Sequence, residues 1–289
     1  MAVATQTKTR FEVVPLSRHI GAELRGIDLR EASDEATIRA IYQAWLDHLV
    51  LIFPGQDLSQ EDFVRVTGYF GELAPQGRPP KYFPKGYARF LPGIMLISNI
   101  REDGEPIGAL PDGEMMFHHD MIHSEVPSKA TLLYSVEIPS TGGNTLFASG
   151  YAAYDTLDAA VRDRLEGRKA LHHYNYGSTI RGDDRGIEAF SECVHPVFRT
   201  HEDTGKKAVY VNRLMTVKIL DLPEDESEAL LNHLWDHAEN RAFVYEHVWR
   251  KGDLLLWDNR CSSHARTDFP STERRLMLRT TVKGTVRPY

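Results

Sequence analysis

Apolar side chains recur with helical spacing over residues 34–49, at Ile38, Ile41, Tyr42, Trp45, Leu46 and Leu49, with Ser33 placed to cap the helix and Asp34 and Glu35 in its first turn. Ser59 with Asp62 forms a capping-box pattern ahead of Phe63, Val66, Tyr69 and Phe70. Two more helical patterns run over 151–165, after the Gly142-Gly143 turn, and over 224–240. Between them lie short runs with strand character: 50–53, 94–100, 115–120, 130–138, 194–199, 208–211, 243–249, 254–257 and 276–282. His201-Glu202-Asp203-Thr204-Gly205 reads as a hairpin loop. Many short strands with helices gathered outside them predict a mainly β protein with flanking helices, two sheets of a jelly-roll core enclosing a pocket.

No internal repeat or low-complexity tract divides the chain, so residues 1–289 are expected to form a single domain. The irregular stretch 74–93 is rich in Pro and Gly and carries Tyr82, Phe83, Tyr87 and Phe90. Loops of that length are usually functional or disordered, and the aromatic residues favour a lid or pocket wall over a linker. The plainer alternative is a surface loop tucked onto the body by its aromatics. A second loop, 101–114, leads into the strand at 115.

At 42% hydrophobic content, 289 residues can bury a large core. Thirty-four Lys and Arg against 41 Asp and Glu give a net charge of −7 with no long block of either sign, which argues against nucleic acid as a partner and for a small molecule. No apolar run reaches bilayer-spanning length and no signal-peptide pattern follows the basic opening, so no membrane partner and a cytoplasmic location are expected. Cys193 and Cys261 are the only cysteines, which suits buried free thiols in a reducing compartment. Association into a homo-oligomer stays open, because no interface is visible in the sequence.

The candidate chemistry lies in Phe117-His118-His119-Asp120 and, far downstream, Trp257-Asp258-Asn259-Arg260, His264, Arg275 and Arg279. In a strand, His118 and Asp120 would share one face about 7 Å apart at Cα. A third, distant ligand, for which His264 is the candidate, would complete the two-histidine, one-carboxylate triad of non-heme iron(II) oxygenases. His119 would point the other way as a hydrogen-bonded structural residue. His172-His173 and the i, i+4 pair His233 and His237 lack matching partners and are set aside. Arg275, Met277, Arg279 and Thr281 share one face of a buried strand, and an interior guanidinium needs an anion: a ligand's carboxylate, or an internal Asp or Glu.

Together these residues resemble the iron(II)- and 2-oxoglutarate-dependent dioxygenases typified by taurine dioxygenase and 2,4-dichlorophenoxyacetate dioxygenase, the TauD/TfdA family. The resemblance covers nearly the whole chain, from Gly21-Ala22-Glu23-Leu24-Arg25-Gly26-Ile27-Asp28-Leu29 through His118-x-Asp120, Pro139-Ser140-Thr141-Gly142-Gly143-Asn144-Thr145, Gly252-Asp253 and the WDN segment to Arg279. It implies a double-stranded β-helix, with His118, Asp120 and His264 as catalytic Fe(II) ligands, and 2-oxoglutarate and O2 as cosubstrates. By the same resemblance Thr145 and Arg275 match the positions that hold the distal carboxylate of 2-oxoglutarate, and Arg279 one that engages an acidic group on the substrate. Asp120 retains the carboxylate that related halogenases lose, so hydroxylation is implied, with bond cleavage where the hydroxylated carbon carries an ether oxygen or sulfonate.

For the substrate, Arg279 favours an acid, while Tyr82, Phe83, Met121, Leu214 and Met215 suggest an apolar body. An aryloxyalkanoate-like or other hydrophobic carboxylate fits that pairing. The histidine that taurine enzymes use is missing after Gly71-Glu72-Leu73, which disfavours taurine. Alternatives are the same oxygenation of another sulfonate, an alkyl sulfate or an N-acyl amino acid, a zinc hydrolase or lyase on the same barrel, and a metal-free binding module.

Overall fold

The computed structural model describes residues 11–75, 83–110, 113–175, 177–182 and 190–289. Two sheets dominate. The larger has seven strands in the order Glu12–Pro15, Ala22–Arg25, Val50–Phe53, Leu254–Asp258, Ala130–Glu137, Leu276–Val282 and Met95–Ser98. All its pairings are antiparallel except the parallel one between Ala22–Arg25 and Val50–Phe53. The smaller sheet orders Val244–His247, Thr145–Ser149, Ser262–Arg266 and Met115–His118, antiparallel throughout. A three-stranded sheet, Phe190–Pro196 with Lys169–Asn175 and Thr216–Ile219, and two short ribbons complete the β structure.

Alternation within the large sheet builds two cores from one set of strands, because successive side chains leave on opposite faces. Leu132, Tyr134, Leu254, Leu256 and Leu278 face outward and are covered by Ile41 and Trp45 of helix Glu35–His48 and Phe63 and Val66 of helix Gln60–Gly68. Ile52, Leu133, Leu255, Trp257 and Met277 face inward and pack with Phe147 of the small sheet. The second cluster thereby joins the two sheets, and the functional cavity opens beside it. A third core forms where helix Glu224–Ala238 lays Leu231, Leu234 and Trp235 against Val197, Val209 and Ile219.

Three expected elements differ in detail. Asp34, not Ser33, caps the first helix, its carboxylate accepting from Thr37 N–H at 2.7 Å. The helix expected over 151–165 divides into Gly150–Thr156 and Ala159–Leu165, because Leu157 turns extended and Asp158 caps a new start by accepting from Ala160 N–H. The strand expected to reach residue 120 stops at His118, and Met121 takes a left-handed conformation at φ 60°. For a non-glycine residue that conformation costs roughly 1–3 kcal/mol, held here by the packing around the cavity. The Ser59–Asp62 capping box and the 201–205 hairpin loop form where the pattern placed them.

Candidate active site and metal centre

A cavity of about 630 Å³ takes lining residues from both main sheets. His118 and His264 are register partners on neighbouring strands of the small sheet, which brings their rings to a centroid separation of 4.1 Å. Asp120 reaches them from the turn after the strand, not by alternation along it. Its Oδ1 lies 3.9 Å from Nε2 of each histidine, and one ligand atom from each of the three residues falls within 4.8 Å of the others. His118 Nδ1–H donates to the Met116 carbonyl at 2.9 Å, which leaves its Nε2 lone pair facing the carboxylate. His264 is held by rings instead, Trp257 at 4.8 Å and Phe147 at 6.2 Å.

Burial pushes both imidazoles below the usual histidine range, so they stay neutral, the form that binds metal. Burial opposes ionisation of Asp120, but the charge of Arg279 and the Thr131 hydroxyl favour it, and the carboxyl is held well below its ordinary range. Arg279 Nη2 forms an ion pair with Oδ1 at 2.8 Å, and Thr131 donates to Oδ2 at 2.6 Å. Two neutral imidazoles and one carboxylate, converging at the end of an apolar cavity, make a donor set that fits a divalent transition metal.

Arg275, immediately before the last strand, lines the same cavity, with its backbone N–H on Asn99 Oδ1 at 2.9 Å. Its side chain is 2% exposed, and its Nε and Nη1 have no hydrogen-bond partner among the described residues. Burial, then the charge of nearby Arg266, push its pKa down to about 9, so it remains a cation at neutral pH. Gly143, at φ 65°, closes over this side chain, and a Cβ there would come within 3.4 Å of Arg275 Nε. Thr145 lines the same cavity, and its hydroxyl oxygen accepts from the Trp249 indole N–H at 3.0 Å, which leaves its own hydrogen to give away.

Arg266 was missed by sequence reasoning. It lies across from Thr145 in the register and lines the cavity, donating to the Gly113 carbonyl. The signal was available, since it follows His264 by two positions in a strand and so shares its face.

The walls are apolar, formed by Ile97, Leu110 and Leu133 and by four methionines, Met95, Met115, Met121 and Met215. Phe83, expected against the substrate, packs instead on Tyr87 at 5.6 Å and on the outer core of the large sheet, and does not line the cavity. Leu214 packs in a small core with Ile122 and Tyr210. Tyr82 lies outside the described residues, while Ala74 and Pro75 of the same loop line the cavity.

Of the other histidines, His123 lines the cavity, whereas His119, His172 and His237 have structural surroundings. His119 Nδ1 faces the Asn212 side-chain amide at 3.3 Å and its ring meets Tyr210. His172 pairs with the Thr216 hydroxyl, and His237 donates to the Ala153 carbonyl. A second group, His201, Asp258 and Cys261, also gathers ligand-type atoms within 4.8 Å. There, however, His201 and Arg260 engage the carboxylate, and burial pushes the Cys261 thiol well above its ordinary range, which keeps it protonated.

A two-histidine, one-carboxylate cluster shares its cavity with a buried cation that has no carboxylate partner among the described residues, an arrangement that suits a metal and an anionic ligand. The family model described as "Taurine catabolism dioxygenase TauD, TfdA family" matches residues 12–281, and the chain belongs to that family. It is 33% identical to pentalenolactone F synthase of Streptomyces arenae over 92% of this chain and 93% of the relative. It is 32% identical to alpha-ketoglutarate-dependent 2,4-dichlorophenoxyacetate dioxygenase of Cupriavidus pinatubonensis over 92% and 96% of the two chains. Among solved structures, a taurine dioxygenase from Burkholderia xenovorans superposes with a TM-score of 0.79 at 31% identity, covering 96% of this chain and 91% of the other. The protein is an iron(II)- and 2-oxoglutarate-dependent dioxygenase, mainly β with flanking helices. No described helix is long and apolar enough to cross a membrane.

Proposed function

We propose that the protein hydroxylates a small organic acid with an apolar, aryl-bearing body, of the aryloxyalkanoate kind. His118, Asp120 and His264 would hold the iron, Arg275 and Thr145 the distal carboxylate of 2-oxoglutarate, and Arg279 with Met121 would meet the substrate. The observation that carries the cosubstrate assignment is the unpaired guanidinium of Arg275. A cation this deeply buried is stable only when an anion answers it, and its planar fork suits a carboxylate. We further infer that the two main sheets are the walls of a double-stranded β-helix, or jelly roll, in a single domain spanning the chain. Both cysteines are free, which suits the cytoplasm.

Bound iron(II), with 2-oxoglutarate and O2, supplies the oxidation that hydroxylates a C–H bond and releases succinate and carbon dioxide. The chain's own residues do the placing. Arg275 fixes one end of the keto-diacid by charge, and Thr145, with its oxygen already engaged by Trp249, adds a hydroxyl hydrogen. The methionine and leucine walls exclude water and give an aryl group surface to bury, about 25 cal/mol for each Å² removed from water. Hydroxylation beside an ether oxygen leaves a hemiacetal, which breaks down without further help. The support for a hydrophobic acid is the combination of those walls with Arg266 and with Arg279, which pairs through Nη2 with the internal Asp120 while its Nε has no hydrogen-bond partner among the described residues.

The test is substrate-triggered succinate formation with iron(II) and 2-oxoglutarate across aryloxyalkanoates, sulfonates including taurine, alkyl sulfates and N-acyl amino acids. Aryloxyalkanoates should trigger the fastest release and taurine little or none. Faster release with a sulfonate would overturn the substrate assignment, and silence across the whole panel would overturn the acid reading itself.

A further inference from the structure

Four buried side chains are strung together by hydrogen bonds that all run one way. The Trp257 indole N–H donates to Asn259 Oδ1 at 3.0 Å, the Asn259 amide N–H donates to Thr131 Oγ1 at 2.9 Å, and the Thr131 hydroxyl donates to Asp120 Oδ2 at 2.6 Å. The register makes this possible by setting Trp257 directly across from Thr131 in the large sheet. Direction is imposed at the origin, because an indole nitrogen can only donate. Asn259 must therefore turn its oxygen to Trp257 and its nitrogen to Thr131. The threonine oxygen, accepting from Asn259, sends its single hydrogen to the carboxylate. Asn259 and Thr131 are 0% exposed and Trp257 is 2% exposed, so water does not compete for these bonds.

The relay engages Oδ2 of Asp120, whereas Oδ1 faces Nε2 of both histidines and also carries the Arg279 ion pair at 2.8 Å. The same indole packs against the His264 ring at 4.8 Å. One side chain thus meets the His264 ring directly and reaches the carboxylate through Asn259 and Thr131.

We propose that Thr131 and Asn259 are positioning residues for the metal centre: with Trp257 as their anchor, they occupy one oxygen of Asp120, present the other to the metal, and tie the placement of the carboxylate to that of His264. The inference rests on Asp120 being a ligand. It assigns no contact with substrate to either residue. Partners of this kind typically contribute 10–100-fold to metal affinity or activity.

The experiment is an anaerobic titration of the full-length protein with iron(II), followed by 2-oxoglutarate and the visible absorption of the resulting complex. Thr131→Val keeps the shape and removes the hydroxyl, and Thr131→Ser restores the hydroxyl. The expected result is iron affinity about 10-fold or more weaker in the valine variant with a shifted absorption band, both recovered by serine. A valine variant with the parent's affinity and spectrum would overturn the proposal, as would a serine variant no better than valine. If the valine variant does not fold, Trp257→Phe, which deletes only the first donor of the relay, carries the same test with a smaller loss expected and an unchanged affinity and spectrum fatal. Asp120→Ala separates the two levels. Should it keep parental iron affinity, the ligand assignment fails; should it lose iron while Thr131→Val does not, the relay alone fails.

Discussion

Arg260 and Arg275 are both buried arginines of the same β framework, and they are treated in opposite ways. Arg260 donates to both oxygens of Asp258, at 2.8 and 2.7 Å, to Asp203 at 2.8 Å, and lies 5.1 Å from the centre of the Trp45 ring. His201 completes the satisfaction of Asp258 at 3.0 Å. Against the cost of burial, those carboxylates raise the Arg260 pKa well above its usual range. Arg275 has no such carboxylate among the described residues, and its neighbour is another cation. A buried ion is tolerated when paired and costs several kcal/mol when not. The fold thus neutralises one arginine internally and leaves the other without a carboxylate partner among the described residues. The two histidine–aspartate clusters differ less in their carboxylates, since Asp258 is met by Arg260 and Asp120 by Arg279, than in their imidazoles: His201 bonds its aspartate at 3.0 Å, whereas Nε2 of His118 and of His264 stand 3.9 Å from Asp120.

The sharpest way to break this comparison is to remove each guanidinium in turn. Arg260→Met strands Asp258 and should destabilise the protein by about 3–5 kcal/mol in urea unfolding. Arg275→Met should leave stability equal or higher, since it removes an unanswered charge, while weakening 2-oxoglutarate binding roughly 30-fold or more in a direct titration. If Arg275→Met were as destabilising as Arg260→Met, the guanidinium would be structural and the contrast void.

Metal binding distinguishes the two clusters next. His264→Ala should cut iron(II) affinity by more than about 100-fold, exceeding what loss of an outer partner does. Cys261→Ala should not change it, and loss of iron in that variant would move the metal to the wrong cluster.

Acid provides a third, smaller probe. His195, whose Nε2–H donates to the Ser124 carbonyl, has its pKa pushed down to about 4 mainly by burial, and buried His172 lies well below its ordinary value. Between pH 6.5 and about 4 the unfolded chain therefore binds more protons than the folded one, so stability is full above 6.5 and declines as pH falls through that window. Asp120 and Asp258 stay ionised there, so a decline in the urea midpoint reports the histidines. A midpoint unchanged from pH 7 to 4 would contradict it. The smallest effect is expected from Trp249→Phe, which frees the Thr145 oxygen and should raise the KM for 2-oxoglutarate about fivefold, the worth of roughly one hydrogen bond.

Much of this contrast was legible in the chain. His118, Asp120 and His264 could be named because their types and order resemble a known family, and Arg275 because an arginine amid apolar strand residues demands an explanation. The route by which Asp120 arrives was not, since alternation cannot foresee that Met121 turns left-handed and ends the strand two residues early. The break at Leu157 was hidden by an apolar spacing that continues across it. Phe83 was misplaced because aromatic character says that a side chain is buried, not against what. The partnership of Trp257, Asn259 and Thr131 depends on which residues face each other across strands, and that register is a property of the assembled sheet.

The methionine-rich wall has a consequence for tolerance and for wear. Unbranched thioether chains reshape around guests of different outline, so Met95, Met115, Met121 and Met215 suit an enzyme that accepts a set of ring substituents more than one tailored to a single shape. Those same sulfurs are the softest groups within range of misdirected oxidation. Idle turnover without a guest should therefore mark the wall with sulfoxides, visible as 16-Da steps (~16 Da per added oxygen) in the peptides that carry these residues.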